Sequence, residues 1–270
     1  MVSTFAQITN VQKYPKWHGI CNRTDISVKN ALTNRWIEIL ASFMRINYFP
    51  EYSQRLHKNL LDSTTRFGLT LDDLIKRLVP SSPTTQKADL GEAVCCLSFE
   101  RIFGLKVPYY KWANKSHIEM PEHGIDVLAF RFEDNPFNDV LFLTEAKWRA
   151  DTNSLLNIIK NKKRGIILKL SNFTDLNICD ELNLLLKRIE NNPEQNELYA
   201  RIYDFFDRFV EHPKRICNVT FFLVDLNIDI DKCVEALNPL KNLQRELKSF
   251  NHLINDLSIV TEDVFKVINE

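Results

Sequence analysis

No G-x-x-x-x-G-K-[ST] occurs in the chain, so it should not hydrolyse ATP itself. There is no G-x-S-x-G nucleophile elbow and no G-x-G-x-x-G fingerprint, so serine-hydrolase and dinucleotide chemistry of the usual kinds are not expected. C-x-x-C is absent as well. The six cysteines, Cys21, Cys95, Cys96, Cys179, Cys217 and Cys233, fit no zinc spacing and are expected as free thiols in a reducing cytoplasm. The N-terminus lacks a basic segment followed by an apolar one, so no signal peptide is expected. No apolar run approaches the length that crosses a bilayer, and no membrane association is expected. Net charge is missing too. Lys and Arg number 35 against 35 Asp and Glu, so no global basic field announces a nucleic-acid binder. Local patches or a partner would have to supply that affinity.

What is present suffices for one large domain or two small ones, with a sizeable core: 270 residues, 44% of them hydrophobic. The most informative stretch is 126–147. Asp126-Val-Leu-Ala-Phe-Arg-Phe132 and Val140-Leu-Phe-Leu-Thr-Glu145-Ala-Lys147 are two apolar runs joined by the turn cluster Glu133–Asp139, which predicts a hairpin. Strand side chains alternate faces, so Glu145 and Lys147 point the same way. Antiparallel pairing would bring Asp126, at the start of the first strand, beside the end of the second. Two carboxylates and an ammonium then converge. Mg2+ takes oxygen ligands, one or two carboxylates among them. The lysine can orient a water or stabilise charge on a phosphate. The bland alternative is two amphipathic strands with a Glu–Lys ion pair. The apolar strand that ends in Glu145 and Lys147 argues against it, because half-buried charges are costly unless they pair or bind metal.

These residues resemble the PD-(D/E)xK nuclease superfamily: Asp126 after Gly124-Ile125, Glu145-Ala146-Lys147 as the E-x-K, and a preceding helix that carries Glu92. Within it, the order Gly91-Glu92, Gly124-Ile125-Asp126, Glu145-Ala146-Lys147 is most similar to HamA, the nuclease subunits of Hachiman antiphage defence. The resemblance implies metal-dependent hydrolysis of DNA phosphodiester bonds with Mg2+ or Mn2+. Asp126, Glu145 and the Ala146 carbonyl would hold the metal. Glu92 would complete the shell, directly or through water, and Lys147 would act on the nucleophile or the transition state. It also implies a role in antiphage defence beside a HamB-like superfamily 2 helicase encoded nearby. A stand-alone restriction or repair nuclease, and a non-catalytic binding module on the same fold, remain as alternatives.

Elsewhere the chain reads as follows. Residues 28–48 carry Val28, Leu32, Trp36, Ile39, Leu40 and Phe43 near one helical stripe. Thr70 to Pro80 predicts a capped helix, and 81–85 a loop that divides an N-terminal, mostly helical region (1–84) from a nuclease-like domain (85–270). A helix from about Leu90 to Phe103 carries Glu92, which is either a metal-site carboxylate or the end of an Asp89-x-x-Glu92 capping box; Glu100 is an alternative. Tyr109–Trp112 reads as a strand or an aromatic patch, and His123 as a loop histidine near the site. After the hairpin the chain turns basic. Arg149, Lys160, Lys162, Lys163 and Arg164 are the candidate DNA-phosphate contacts, although cations also suit a helix C-terminus. Helices are expected over 182–189 and 197–210, and a strand over 216–224 that crosses back to the same sheet. Residues 231–270 read as helix, a short strand at Leu257–Val260, and a last helix. The expected fold class is α/β: a restriction-endonuclease-like core, a small mixed sheet flanked by helices.

Overall fold

The computed structural model describes residues 2–17, 19–48, 68, 79–115, 124–163, 165–190, 192–209, 215–242 and 245–269. The elements that matter are α1 (Val2–Gln7), β1 (Thr9–Trp17), β2 (Cys21–Val28), α2 (Thr33–Tyr48), α3 (Pro83–Arg101), β3 (Val127–Arg131) and β4 (Val140–Arg149). They continue with α4 (Thr152–Lys160), α5 (Ile166–Asn172), α6 (Asp175–Ile189), α7 (Asn196–Phe209), β5 (Ile216–Asp225), α8 (Ile230–Glu235), β6 (Glu246–Ile254) and α9 (Leu257–Asn269). The six strands form one sheet in the order β1-β2-β6-β5-β4-β3. The interior pairs β2–β6, β6–β5 and β5–β4 are parallel, and the two edge pairs are antiparallel. The expected α/β class is what the structure shows.

The sequence explains the middle of the sheet. β5 is Ile-Cys-Asn-Val-Thr-Phe-Phe-Leu-Val-Asp, rich in β-branched and aromatic residues, and all ten positions are buried. Helices cover both faces. On one, Phe142, Phe221 and Phe250 pack with Trp36 and Leu40 of α2, Val94 and Phe99 of α3, and Val264 of α9. On the other, Leu141, Leu143, Phe222 and Val224 pack with Leu155 of α4, Ile166 of α5, Leu182 of α6 and Phe205 of α7. Alternation along β4 sends Leu141, Leu143, Glu145 and Lys147 to this second face.

Several expectations change. Strands β1 and β2 were not visible in the sequence, yet β2 pairs with β6 from Asn22 to Ser27 and so belongs to the sheet. Val28 ends β2 instead of opening a helix. In α2 the buried residues are Trp36, Ile37, Leu40, Ala41, Met44 and Tyr48, so Ile37, Ala41 and Met44, off the expected stripe, are core. The face is wide because α2 meets both α3 and α9. The loop at 81–85 is shorter than expected: Pro83 already opens α3, where its fixed φ suits a first turn and its missing N–H costs nothing. Lys111–Ala113 is a 3-10 turn and not a strand, and its Trp112 packs on Phe43 and Tyr48. The short strand at Leu257–Val260 is the first turn of α9, and the strand lies earlier, as β6. The predicted helix from Thr70 to Pro80 falls largely outside the described residues. All six cysteines are free. Among the described residues no helix is long and apolar enough to cross a membrane.

Candidate active site

The β3–β4 hairpin forms as its pattern requires. Val127 pairs with Thr144, which sets Asp126 across from Glu145. Asp126 stands one residue before β3, and its approach is held from two sides. The Ile125 N–H donates to Glu181 Oε1 at 3.1 Å, and Lys111 Nζ donates to the Ile125 carbonyl at 3.1 Å. Glu181 can come this close only because residue 124 is glycine. Its φ is +96°, and a Cβ there would stand 1.7 Å from Glu181 Oε1. Glu181 is itself placed by α6, whose start is fixed by a reciprocal cap between Thr174 and Asn177. The Ala146 N–H then donates to Asp126 Oδ2 at 3.0 Å and locks the carboxylate onto β4.

Around this anchor the charges gather. Lys147 Nζ lies 2.6 Å from Asp126 Oδ2, 3.3 Å from Glu145 Oε2 and 2.9 Å from the Ala146 carbonyl oxygen. A second ammonium completes the cluster: Lys169 Nζ of α5 lies 2.5 Å from Glu145 Oε1 and 3.6 Å from Asp126 Oδ1. A buried carboxylate, Glu145, and a half-buried one, Asp126, thus face two ammonium groups, the condition under which such burial is tolerable. Burial pushes the Glu145 carboxyl up to about 7, the neighbouring Asp126 charge adds to this, and Lys147 and Lys169 only partly oppose it. Burial acts on Asp126 in the same sense, but there the charges of Lys147 and Lys169 and the hydrogen bonds outweigh it. Its carboxyl is held below the usual range. Burial alone would pull the Lys147 ammonium down; Asp126 and Glu145 reverse this and raise it.

Glu92 comes from the opposite helical layer, on α3. The capping-box reading of Asp89-x-x-Glu92 does not hold. α3 begins at Pro83 with Ser82 as its N-cap, so both acids lie well inside the helix. Asp89 is buried against Tyr48 and Lys115 instead. Glu92 Oε2 is buried without a hydrogen-bond partner among the described residues. Burial, then Asp126 and Asp89, push its carboxyl well above the ordinary value. Glu100, the alternative, accepts a hydrogen bond from Tyr110 Oη at 2.7 Å.

The donor set suits a hard cation. Asp126 Oδ2, Glu145 Oε2 and the Ala146 carbonyl oxygen surround one point, which Lys147 Nζ occupies here. All three are oxygen, the chemistry that Mg2+ or Mn2+ takes. No group of three or more His, Cys, Asp or Glu side chains is gathered for a metal among the described residues. An ion at this point would need the carbonyl as its third protein donor, and Glu92 Oε2 is left without a hydrogen-bond partner among the described residues.

The basic residues are placed differently. Arg149 ends β4, and its Nη1 donates to the Trp148 carbonyl at 2.6 Å. Burial pulls its guanidinium below the usual range. Lys160 ends α4, and Lys162 and Lys163 are exposed in the turn that follows. Lys160 and Lys162 line a cleft of about 600 Å3 with Ile167 and Leu168 of α5. None of these lysines forms an ion pair with Asp126 or Glu145 among the described residues. Arg164 and His123 lie outside them. The site residue that sequence reasoning missed is Lys169, visible there only as one charge in a basic run. Glu181 was missed too. Neither carries a local signal, since each reaches the site from a helix that folds back over the sheet.

Compared with known protein families, residues 7–268 match the family model HamA, nearly the whole chain. No curated protein gave a match.

Proposed function

The chain belongs to the HamA family, and from that premise we propose that it is a metal-dependent DNA endonuclease of the PD-(D/E)xK type, acting in antiphage defence. The convergence of Asp126 Oδ2, Glu145 Oε2 and the Ala146 carbonyl on the Lys147 ammonium is the observation that carries this reading. Asp126, Glu145 and the Ala146 carbonyl would hold Mg2+ or Mn2+. The metal would supply Lewis-acid stabilisation of the phosphate oxygens and lower the pKa of a bound water. Lys147, on the same strand face as Glu145, orients the attacking water and offsets the charge that builds on the pentavalent phosphorus. Water adds to phosphorus, the P–O bond to the leaving strand end breaks, and that oxygen takes up a proton. Glu92, whose buried Oε2 has no hydrogen-bond partner among the described residues, would complete the metal shell or position a water. Arg149, Lys160, Lys162, Lys163 and Arg164 would contact DNA phosphates beside the site. The chain has no P-loop and no net charge, which suits a subunit that relies on a HamB-like helicase for ATP-driven movement along DNA.

The test is plasmid cleavage in Mg2+ with wild type, Glu145→Ala and Lys147→Ala, with and without the helicase and ATP. Both substitutions should lower cleavage by about a hundredfold or more, the scale seen when one stabilising group is taken from a transition state. A dependence on the helicase separates a complex subunit from a stand-alone restriction or repair nuclease. One observation favours a second reading, a non-catalytic binding module: the two carboxylates and two ammoniums are already charge-balanced. DNA binding that survives both substitutions, with no cutting by wild type under any metal or partner, would establish that reading instead.

A further inference from the structure

At the end of the sheet where β4 and β6 begin, a cavity of about 470 Å3 opens beside the end of α3. Phe142 of β4 and Phe250 of β6 form its floor. Phe103, two residues past α3, stands over them, with its ring centroid 4.8 Å from that of Phe250. Phe142 and Phe250 belong to the core under α3, so the cavity lies on the sheet face opposite to Glu145 and Lys147. It runs across the whole sheet. Lys13 of β1, Lys248 of β6 and Arg131 of β3 all line it, on the first, third and sixth strands of the order. Five strand spacings of about 4.8 Å put the two outer backbones roughly 24 Å apart. Lys13 is exposed and has no ion pair among the described residues. The other two pair with half-exposed acids, Arg131 with Glu133 at 2.8 Å and Lys248 with Glu246 at 3.5 Å. Such surface pairs are worth little, and a phosphate competes with them. The guanidinium of Arg23, also against the cavity, is taken up by Asp25 and Asp231.

We infer that this groove binds a single DNA strand: its phosphates step across the sheet on Lys13, Lys248 and Arg131, and its bases turn inward onto Phe103 and the apolar floor. The choice of DNA rests on the function proposed above, but the groove uses none of the residues of the candidate active site. Cations spaced along a groove, with aromatic rings between them, suit a single strand because every base has a face that stacks. A lone nucleotide does not match the spacing, since one phosphate is too small to hold Lys13 and Arg131 together. A duplex does not match it either, since its bases are already stacked on each other and would leave the rings uncovered. The protein would thus hold an unpaired strand on one face of the sheet and act on a phosphodiester at the other.

The test is fluorescence anisotropy with a labelled oligothymidylate, in EDTA so that no metal engages Asp126 and Glu145. Wild type is compared with the double variant Lys13→Gln/Arg131→Gln, with Phe103→Leu, and with the surface control Lys266→Gln. The double variant should bind at least ~10-fold more weakly, since charge-assisted contacts to phosphate are lost. Its slope of log affinity against log salt should fall by about 0.7 for each phosphate contact removed. Phe103→Leu should weaken binding and leave the slope unchanged, because stacking releases no counterions. Lys266→Gln should bind as wild type does. A folded double variant that keeps the wild-type affinity and slope overturns the inference, even if wild type cuts DNA. If the double variant loses the strand while wild type cuts no DNA in Mg2+ with any partner, the groove stands and the catalytic reading fails.

Discussion

Asp126 owes its position to a neighbour that contributes no chemistry. Gly124 turns the chain at φ +96° and leaves room for Glu181, which accepts the Ile125 N–H. An alanine at 124 would adopt a backbone region that costs about 1–3 kcal/mol for a residue with a Cβ. It would also overlap the Glu181 carboxylate. Gly124→Ala should therefore destabilise the protein by more than that backbone cost in urea unfolding, and lower metal affinity by tilting Asp126. In a Glu181→Ala background the overlap disappears and only the φ strain remains, so the two substitutions should cost less together than their sum. Full additivity would show that Glu181 does not meet residue 124. At this scale the sequence was informative for Asp126, Glu145 and Lys147, because a tight hairpin and the two-residue period of a strand are local. For Glu92 it left two readings open, and the structure removes one of them. The Asp89-x-x-Glu92 spacing suits a cap, but Ser82-Pro83 starts the helix earlier and turns both acids into interior residues.

At the scale of elements, the stretch from α4 to α5 links the candidate phosphate-binding lysines to the carboxylates. α4 starts at Asp151, which accepts the Ser154 N–H at 2.8 Å, and it ends in Lys160. The chain then turns through exposed Lys162 and Lys163 to α5, which carries Lys169 into the site. Gly165 makes the turn possible: a Cβ there would lie 2.4 Å from the Asn161 carbonyl oxygen, backbone that cannot move aside cheaply. Charge reversal at Lys160, Lys162 and Lys163 together should weaken DNA binding without changing Mn2+ affinity. The slope of log affinity against log salt should fall by about one for each phosphate deprived of its lysine. An unchanged slope would assign these lysines to the solvated end of α4 alone. The sequence showed the basic run but not its course, since a charge run has the same composition whether it faces water or a ligand.

For the whole molecule, the N-terminal segment is not peripheral to the sheet. β2 completes the parallel core by pairing with β6, and α1 and α2 close over His252 of β6, whose ring centroid lies 6.2 Å from that of Phe5 and 5.7 Å from that of Trp36. Ser98 Oγ and His252 Nδ1 lie 3.4 Å apart. Burial lowers the His252 imidazole from 6.5 to about 3. Between those values the unfolded chain takes a proton that the folded chain refuses. Stability contributed by the neutral ring is thus present above pH 6.5 and lost as pH falls through the window, at up to ~1.4 kcal/mol per pH unit. His252→Phe should flatten the fall in urea-unfolding stability between about pH 6.5 and about pH 4 by nearly that slope. An unaltered slope would mean that the ring is not sealed by the N-terminal helices.

Composition and periodicity by themselves determined the α/β class, the β3–β4 hairpin, the central strand β5 and the meeting of Asp126, Glu145 and Lys147. Each of these depends on neighbours a few residues apart, where backbone geometry leaves few choices. Tertiary structure alone decided that β1 and β2 join the sheet, that Glu92 approaches the site from the opposite layer, and that Lys169 reaches Asp126, and Glu181 the Ile125 N–H beside it, from helices distant in the chain. Those placements follow from burying two apolar faces of one sheet under two layers of helices. That burial free energy belongs to the whole packing, and no short segment carries its pattern.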